Sequence, residues 1–145
     1  MKTHVLVLVP YEVTGTELSD AVAHILEAHR EVETEGALKR GKFDYLVGAF
    51  EKSLNDPIAE GRLPITERME WSGNVCDKHR VPRDLVPGAL VTLDGKWHDL
   101  FDFGWRMAGE SSSANEAAFA RWTVQYQALL AAAPDCWVVE LWAHS

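Results

Sequence analysis

The chain has 145 residues, of which 25% are charged, and a formal net charge of −8 at pH 7. Its size and apolar fraction predict a single folded domain over residues 1–145. The acidic balance argues against non-specific binding to nucleic acid or to anionic membranes, because both need a positively charged surface. No apolar run approaches the length of a membrane span. We therefore expect a soluble, cytoplasmic protein.

The first half of the chain predicts a buried strand, a helix and a second strand. Residues 4–9, HVLVLV, are almost uniformly apolar, which is typical of a strand buried on both faces at the centre of a sheet. A helix over about 16–31 follows, because Thr14 and Glu17 stand at capping-box spacing ahead of apolar residues at helical intervals. Residues 42–50, KFDYLVGAF, alternate along the chain and predict a half-exposed edge strand.

Residues 51–88 form a long segment without a regular pattern. They contain four of the six prolines and no sustained periodicity. We expect an irregular insert here, and a segment of this kind inside a compact domain is often functional. The insert includes KHRVPR at 78–83, the most basic stretch of the chain.

The second half of the chain predicts a hairpin, a helix and a last strand. Asp94 and Gly95 between apolar runs predict a type I′ turn that joins strands over about 89–100. Ser113 and Glu116 form a second capping box, and the helical pattern runs to Pro134. Its apolar face would consist of Phe119, Trp122, Tyr126, Leu129, Leu130 and Ala133. The closing strand, over 137–144, would carry Val138, Glu140, Trp142 and His144 on one face.

This order of elements predicts an α+β fold of the ferredoxin-like βαββαβ type, with an extra hairpin strand and the long insert. Right-handed crossovers would give the strand order 4-1-3-2, with the first strand central and both helices on one face. The other face, which includes Glu140, Trp142 and His144, would need a cover. Either the insert or a second subunit would provide it, and we expect a homodimer.

The stretch KWHDLFDFGWRM at 96–107 has two interpretations. Trp97 would belong to the core if the second hairpin strand is 96–100, with Trp105 packing the connection onto the sheet. Alternatively, Trp97 and Trp105 would be stacking plates, with Arg106 as the partner of an anionic, nucleotide-like ligand. We favour Trp97 as core and Trp105 with Arg106 as the candidate ligand wall.

The basic stretch at 78–83 could add a phosphate clamp to this wall, because arginine offers a planar fork for bidentate contact. The alternative is a solvated loop whose charges are balanced by Asp77 and Asp84. The candidate ligand-binding residues are Trp97, Trp105, Arg106, Lys78, Arg80, Arg83 and Trp142.

Metal-binding patterns are weak. Cys76 and His79 have CxxH spacing, but no second conventional pair completes a structural zinc site. His4 and His144 could meet, because the first and last strands run antiparallel in this topology. The alternative is that both are histidines at frayed strand ends. We expect no metal and no cofactor.

Catalytic patterns are also weak. His98, Asp99 and Asp102 offer acid–base groups, but neighbouring residues of a strand face opposite ways. No common nucleophile or phosphate-binding motif is present. We therefore expect no catalytic residues.

Several segments resemble a loose group of small uncharacterised actinobacteriophage proteins. The resemblance rests on an aliphatic first strand, the aromatic strand FDYLVG, the hairpin VTLDGKWHD with a following GW, and the closing VVELWAH. It implies a phage accessory gene product in the cytoplasm of the host cell, and the group has no assigned chemistry. Such proteins often carry Gly-Gly-Arg-Trp after the aromatic strand, where this chain has Gly48-Ala49-Phe50-Glu51. Any role of that arginine is therefore not carried over.

The resemblance, together with the lack of catalytic motifs, implies a non-enzymatic phage accessory protein that binds a host protein, in counter-defence or host modulation. One alternative is a protein that sequesters a small anionic, nucleotide-like molecule in the aromatic and basic pocket. The other is a small hydrolase or transferase that uses histidine and aspartate residues.

Overall fold

The structure, a computed structural model, describes residues 2–13, 17–34, 36–47, 75–106 and 112–145. Within these residues it contains two α-helices, eight strands and two short 3-10 helices. The α-helices are α1 (Leu18–Glu27) and α2 (Ser112–Ala132), and the 3-10 helices are Lys78–Arg80 and Leu100–Phe103. The strands are β1 (Lys2–Pro10), β2 (Val32–Thr34), β3 (Ala37–Lys39), β4 (Tyr45–Val47), β5 (Val75–Asp77), β6 (Ala89–Val91), β7 (Trp97–Asp99) and β8 (Cys136–His144).

The main sheet is built around β1. Its strand order is β4-β8-β1-β6-β7, and β5 also pairs with β8. β8 is antiparallel to β1 along its whole length, from Lys2 opposite His144 to Pro10 opposite Cys136, and β6 is parallel to β1. The residues from Val5 to Val9 are fully buried. The prediction of a central, uniformly apolar first strand is confirmed.

The position of β4 differs from the ferredoxin-like expectation. That expectation placed the strand over 42–50 beside the strand that begins at residue 89, but β4 pairs with β8 at the opposite edge. The outer edge of β6 is taken by β7, its hairpin partner. A hairpin partner reaches its neighbour through a short turn, so it occupies this edge at the lower entropic cost. The fold is α+β, without the 4-1-3-2 order.

The two helices lie on opposite faces of the sheet, and the prediction that both cover one face is wrong. α1 packs on the face that carries Val5 and Val7, whereas Trp122 of α2 packs on the face that carries Leu6 and Leu8. Because successive side chains of a strand point to opposite faces, a strand between two helices must be apolar at every position. α2 therefore covers part of the face that was left for the insert or a second subunit.

The predicted insert lies only partly within the described residues. Residues 51–74 lie outside them, whereas 75–88 include β5 and a 3-10 helix. β4 and β5 pair with the same edge of β8, with Val47 opposite Trp142 and Val75 opposite Val139. They therefore continue one edge strand, and the prediction of an irregular segment is wrong for 75–77.

The predicted hairpin between β6 and β7 is present, but its turn differs from type I′. The backbone N–H of Gly95 donates to the carbonyl oxygen of Thr92 over 2.8 Å, so the central turn residues are Leu93 and Asp94. Gly95 follows with a φ of +80°. This left-handed residue after the turn is typical of three-residue hairpin loops.

The helix predictions hold in position and differ in detail. α2 spans nearly the predicted residues, but Phe119, which was predicted on its buried face, is 45% exposed. α1 is shorter than the predicted 16–31, and Glu17 at its N-cap makes no side-chain capping bond. Thr14 lies outside the described residues. β2 and β3 form a small separate two-stranded sheet after α1.

Candidate functional site

Four aromatic rings lie together where β1 begins and β8 ends. In the strand register His4 lies opposite Trp142, and Tyr45 lies opposite His144. Residues opposite each other in antiparallel strands project from the same face, as do residues two apart along one strand. All four rings therefore share the face that α2 covers farther along the sheet. We call the rings of Tyr45, His144, Trp142 and His4 the paired-ring surface.

The inner half of this surface is formed by His4 and Trp142. Their ring centroids are 5.1 Å apart and the rings are stacked at 26°. The Nε2–H of His4 donates to Oε2 of Glu140 over 2.9 Å, and the Glu140 side chain is only 4% exposed. A buried carboxylate is unfavourable unless it is hydrogen-bonded, and His4 supplies one such bond. The hydrogen bond to Glu140 fixes the orientation of the His4 imidazole against the Trp142 indole.

The outer half is formed by His144 and Tyr45. Their ring centroids are 4.4 Å apart, and the rings are nearly parallel at 12°. The Nδ1–H of His144 donates to Oδ1 of Asp44 over 2.8 Å, and the backbone N–H of Tyr45 donates to the same oxygen over 3.0 Å. Tyr45 is 48% exposed. The two halves thus repeat one arrangement, carboxylate to imidazole to aromatic ring, once inside the protein and once at its surface.

Asp44 is ionised at neutral pH. The hydrogen bond from His144 is the main reason that its pKa lies below the usual value of 3.8, and the backbone donors lower the pKa further. The exposed end of the surface therefore combines a flat aromatic face with a negative charge. Aromatic residues of this kind are enriched in protein interfaces and in their binding hot spots.

The predicted stacking wall is divided between two separate packing environments. The ring of Trp97 contacts His29 and Phe43 on the α1 side, and its Nε1–H donates to Asp99 over 2.9 Å. The partly buried ring of Trp97 packs against the core on that side, as we favoured. Trp105 instead meets the edge of Phe101, with ring centroids 5.4 Å apart.

Arg106, the predicted anion partner, binds backbone instead. Its Nη1 donates to the carbonyl oxygens of Trp105 over 2.7 Å and of Phe101 over 3.3 Å. Its backbone N–H donates to the side-chain oxygen of Asn115 on α2 over 3.0 Å. These contacts fix the connection between the hairpin and α2, so a structural role explains Arg106.

The basic stretch at 78–83 contacts the C-terminal end of α2 through Lys78. Lys78 Nζ donates to the carbonyl oxygens of Ala131, over 3.3 Å, and of Ala133. A cation at this end of a helix satisfies carbonyls that lack intrahelical partners and opposes the negative end of the helix dipole. Arg80 and Arg83 lie on the surface. The phosphate-clamp interpretation thus competes with a structural role at Lys78.

The acid–base groups of the hairpin are also explained by local structure. Asp99 is buried, and its carboxylate accepts the backbone N–H of Asp102 as the cap of the second 3-10 helix. His98 Nε2 lies 3.2 Å from the hydroxyl of Thr92, which donates its single hydrogen to Asp94. His98 must then act as the donor to Thr92, so it cannot serve as a base toward that hydroxyl.

The residues considered for metal binding do not converge. His4 and His144 do not form the two-histidine site, because each is hydrogen-bonded to its own carboxylate. Cys76 is buried, and burial raises the pKa of its thiol to about 12. His79 pairs instead with Asp135. Within the described residues, no three side chains of His, Cys, Asp or Glu are grouped as a metal ion would require.

Sequence reasoning identified only part of the paired-ring surface. It grouped Glu140, Trp142 and His144 on one strand face, and this grouping is confirmed. It missed Asp44 and Tyr45, because the expected strand order placed them at the other edge of the sheet. The adjacent Asp-Tyr pair in an edge strand was the available signal.

Comparison with known proteins leaves the family of the chain open. The chain matches no family model, no curated protein and no solved structure. Of the helices in the described residues, none combines the length and the apolar composition that crossing a lipid bilayer requires.

Proposed function

We propose that this protein acts by binding a partner protein through the paired-ring surface, without catalytic turnover. The observation that carries the proposal is the exposed stack of Tyr45 on His144 beside the half-buried stack of Trp142 on His4. Large aromatic rings that are held rigidly lose little conformational entropy when a partner covers them. An exposed anchor next to a fixed inner pair therefore provides a suitable binding centre.

The charges around the site favour a protein over a small anion. Each half of the paired-ring surface carries a carboxylate, and the whole chain has a net charge of −8. A nucleotide-like anion would be repelled from this surface. The anionic-ligand alternative is further weakened because Arg106 and Lys78 already bind carbonyl oxygens.

The resemblance to actinobacteriophage proteins suggests the kind of partner. On this proposal the chain is a phage accessory protein that engages a component of the host cytoplasm, in counter-defence or host modulation. The predicted homodimer would present two copies of the surface, and two linked contacts would raise the apparent affinity.

The proposal is tested by affinity capture with matched variants. Wild-type protein, Tyr45→Ala and Val124→Ala would each be exposed to lysate of an actinobacterial host, and captured proteins identified by mass spectrometry. Val124 is a control because it lies exposed on α2. We expect a defined protein to be retained by wild type and by Val124→Ala, and to be lost with Tyr45→Ala.

Retention of the same protein by all three forms would place the binding site elsewhere and refute the proposal. Native mass spectrometry of the purified protein supplies a second test. A small anion carried by the wild type and by Tyr45→Ala alike would favour sequestration instead.

A further inference from the structure

We infer that the partner presents an arginine side chain, whose guanidinium stacks on the outer face of Tyr45 and pairs with Asp44. This inference rests on the proposed function, because it names the chemistry that the paired-ring surface would recognise. It follows from the geometry of the outer half and from the charge of the protein.

The first argument is the open face of Tyr45. One face of its ring is covered by His144, at a centroid distance of 4.4 Å. In the described part of the chain β4 is the last strand at this edge of the sheet, so the other face of the ring points away from β8. A planar cation on that face would extend the stack, and the negative face of an aromatic ring attracts cations.

The second argument is the free oxygen of Asp44. Oδ1 accepts hydrogen bonds from the imidazole of His144 and the backbone of Tyr45. Within the described residues no hydrogen bond is made to Oδ2, and Asp44 is exposed. Its two present donors hold the carboxylate in one orientation. Oδ2 can therefore accept a charge-assisted bond from a group that lies on the Tyr45 ring.

The third argument is the choice of cation. In the strand register Lys2 lies opposite His144 on β1, so the backbone of β8 lies between Lys2 and Tyr45. The net charge of −8 attracts a basic partner from solution. A guanidinium fits better than an ammonium, because it is planar, stacks on aromatic faces and carries several donors in a fixed fork.

The test is an NMR titration with N-acetyl-arginine amide, and with N-acetyl-citrulline amide as the neutral analogue of the same shape. We expect saturable shifts of the Tyr45 ring and His144 imidazole signals with the arginine compound only. The dissociation constant should rise roughly tenfold in Asp44→Asn, which loses a charge-assisted bond. It should rise roughly threefold in Tyr45→Leu, and stay unchanged in Val124→Ala.

Equal shifts with both compounds, or no shift with either, would overturn the inference. If Asp44→Asn disturbs the His144 stack, the test is the salt dependence of the dissociation constant of the arginine compound for wild type. An ionic contact to Asp44 requires this constant to rise with salt concentration, and an unchanged constant would overturn the inference. Failure of the inference is distinct from failure of the proposed function. Loss of the captured protein with Tyr45→Ala but no arginine response would leave the binding surface intact and refute only the arginine.

Discussion

Trp122 donates its indole N–H to the carbonyl oxygen of Pro87 over 2.7 Å, at the centre of α2. The side chain is fully buried among Leu6, Leu8 and Tyr126. This bond ties the helix to the segment that leads into β6. Trp122 thus holds α2 against the sheet both by packing and by a hydrogen bond.

Removing this side chain should strongly destabilise the fold. We expect Trp122→Ala to lower the free energy of unfolding by about 3–5 kcal/mol, because it opens a large cavity. Trp122→Phe should lower it by about 1–3 kcal/mol, because the Pro87 carbonyl loses its donor. Urea denaturation measures both, with Val124→Ala as the exposed control on the same helix, expected within about 0.5 kcal/mol. Equal stability of Trp122→Phe and wild type would contradict the role of the bond.

The buried Glu140 should contribute to stability through His4. We expect Glu140→Gln to lower the free energy of unfolding by about 1–3 kcal/mol, since it replaces a charge-assisted hydrogen bond with a neutral one. Glu116→Gln is the matched control, because Glu116 is exposed on α2, and its effect should stay within about 0.5 kcal/mol. Chemical denaturation of both variants gives the comparison. If the two variants behave alike, the His4–Glu140 bond is not stabilising.

The hairpin turn should depend on glycine at position 95. Apart from Gly95 itself and its two neighbours in the chain, no heavy atom lies within 4 Å of an added Cβ, so the obstacle to a side chain is the φ of +80°. Gly95→Ala should therefore lower the free energy of unfolding by about 1–2 kcal/mol. Gly95→Asn should cost less, because asparagine tolerates the left-handed conformation better. Thermal or urea unfolding should rank the three proteins in that order, and an alanine variant as stable as the asparagine one would refute the assignment.

The Asp44–His144 bond should be visible in the titration of Asp44. Its pKa in the folded protein lies below 3.8. Because the folded-state pKa is the lower one, the ionised carboxylate favours the folded state above the usual pKa, and this contribution is lost as pH falls through the folded pKa. Carboxyl NMR should show the depressed pKa in wild type.

The matched variant for this titration is His144→Phe. It retains a ring against Tyr45 but removes the N–H donor to Asp44. We expect the pKa of Asp44 to move up toward its usual value in this variant. An unchanged pKa would mean that His144 is not the main cause of the shift.

Local patterns predicted the elements well. The apolar run of β1, the hairpin around Gly95 and the helix that contains Trp122 all appear where periodicity and turn residues placed them. Each of these elements is determined by residues that are close together in the sequence, so its own residues are enough to predict it. The alternation along β8 was correct for the same reason.

The strand order was not predictable in this way. The sequence of β4 is compatible with pairing to either β6 or β8, because its alternation of side chains suits both edges. β4 pairs with β8 because β7 occupies the outer edge of β6. This depends on segments that are far apart in the sequence. The outer half of the paired-ring surface depends on that order, since Tyr45 meets His144 only when β4 lies on β8. The adjacent Asp44 and Tyr45 in an edge strand draw attention to this segment, but they do not indicate which strand it pairs with.

The shared edge of β8 also bears on how this protein can change over evolutionary time. Val47 and Val75 stand opposite Trp142 and Val139, so a link of two residues would be enough to make β4 and β5 one strand. The entropic cost of a longer link grows only with the logarithm of its length. The pairing of these two valines with β8 therefore does not by itself set the number of residues between them. As far as the register on β8 is concerned, descendants of one ancestral gene could differ in length between the two valines and keep the same strand pairing.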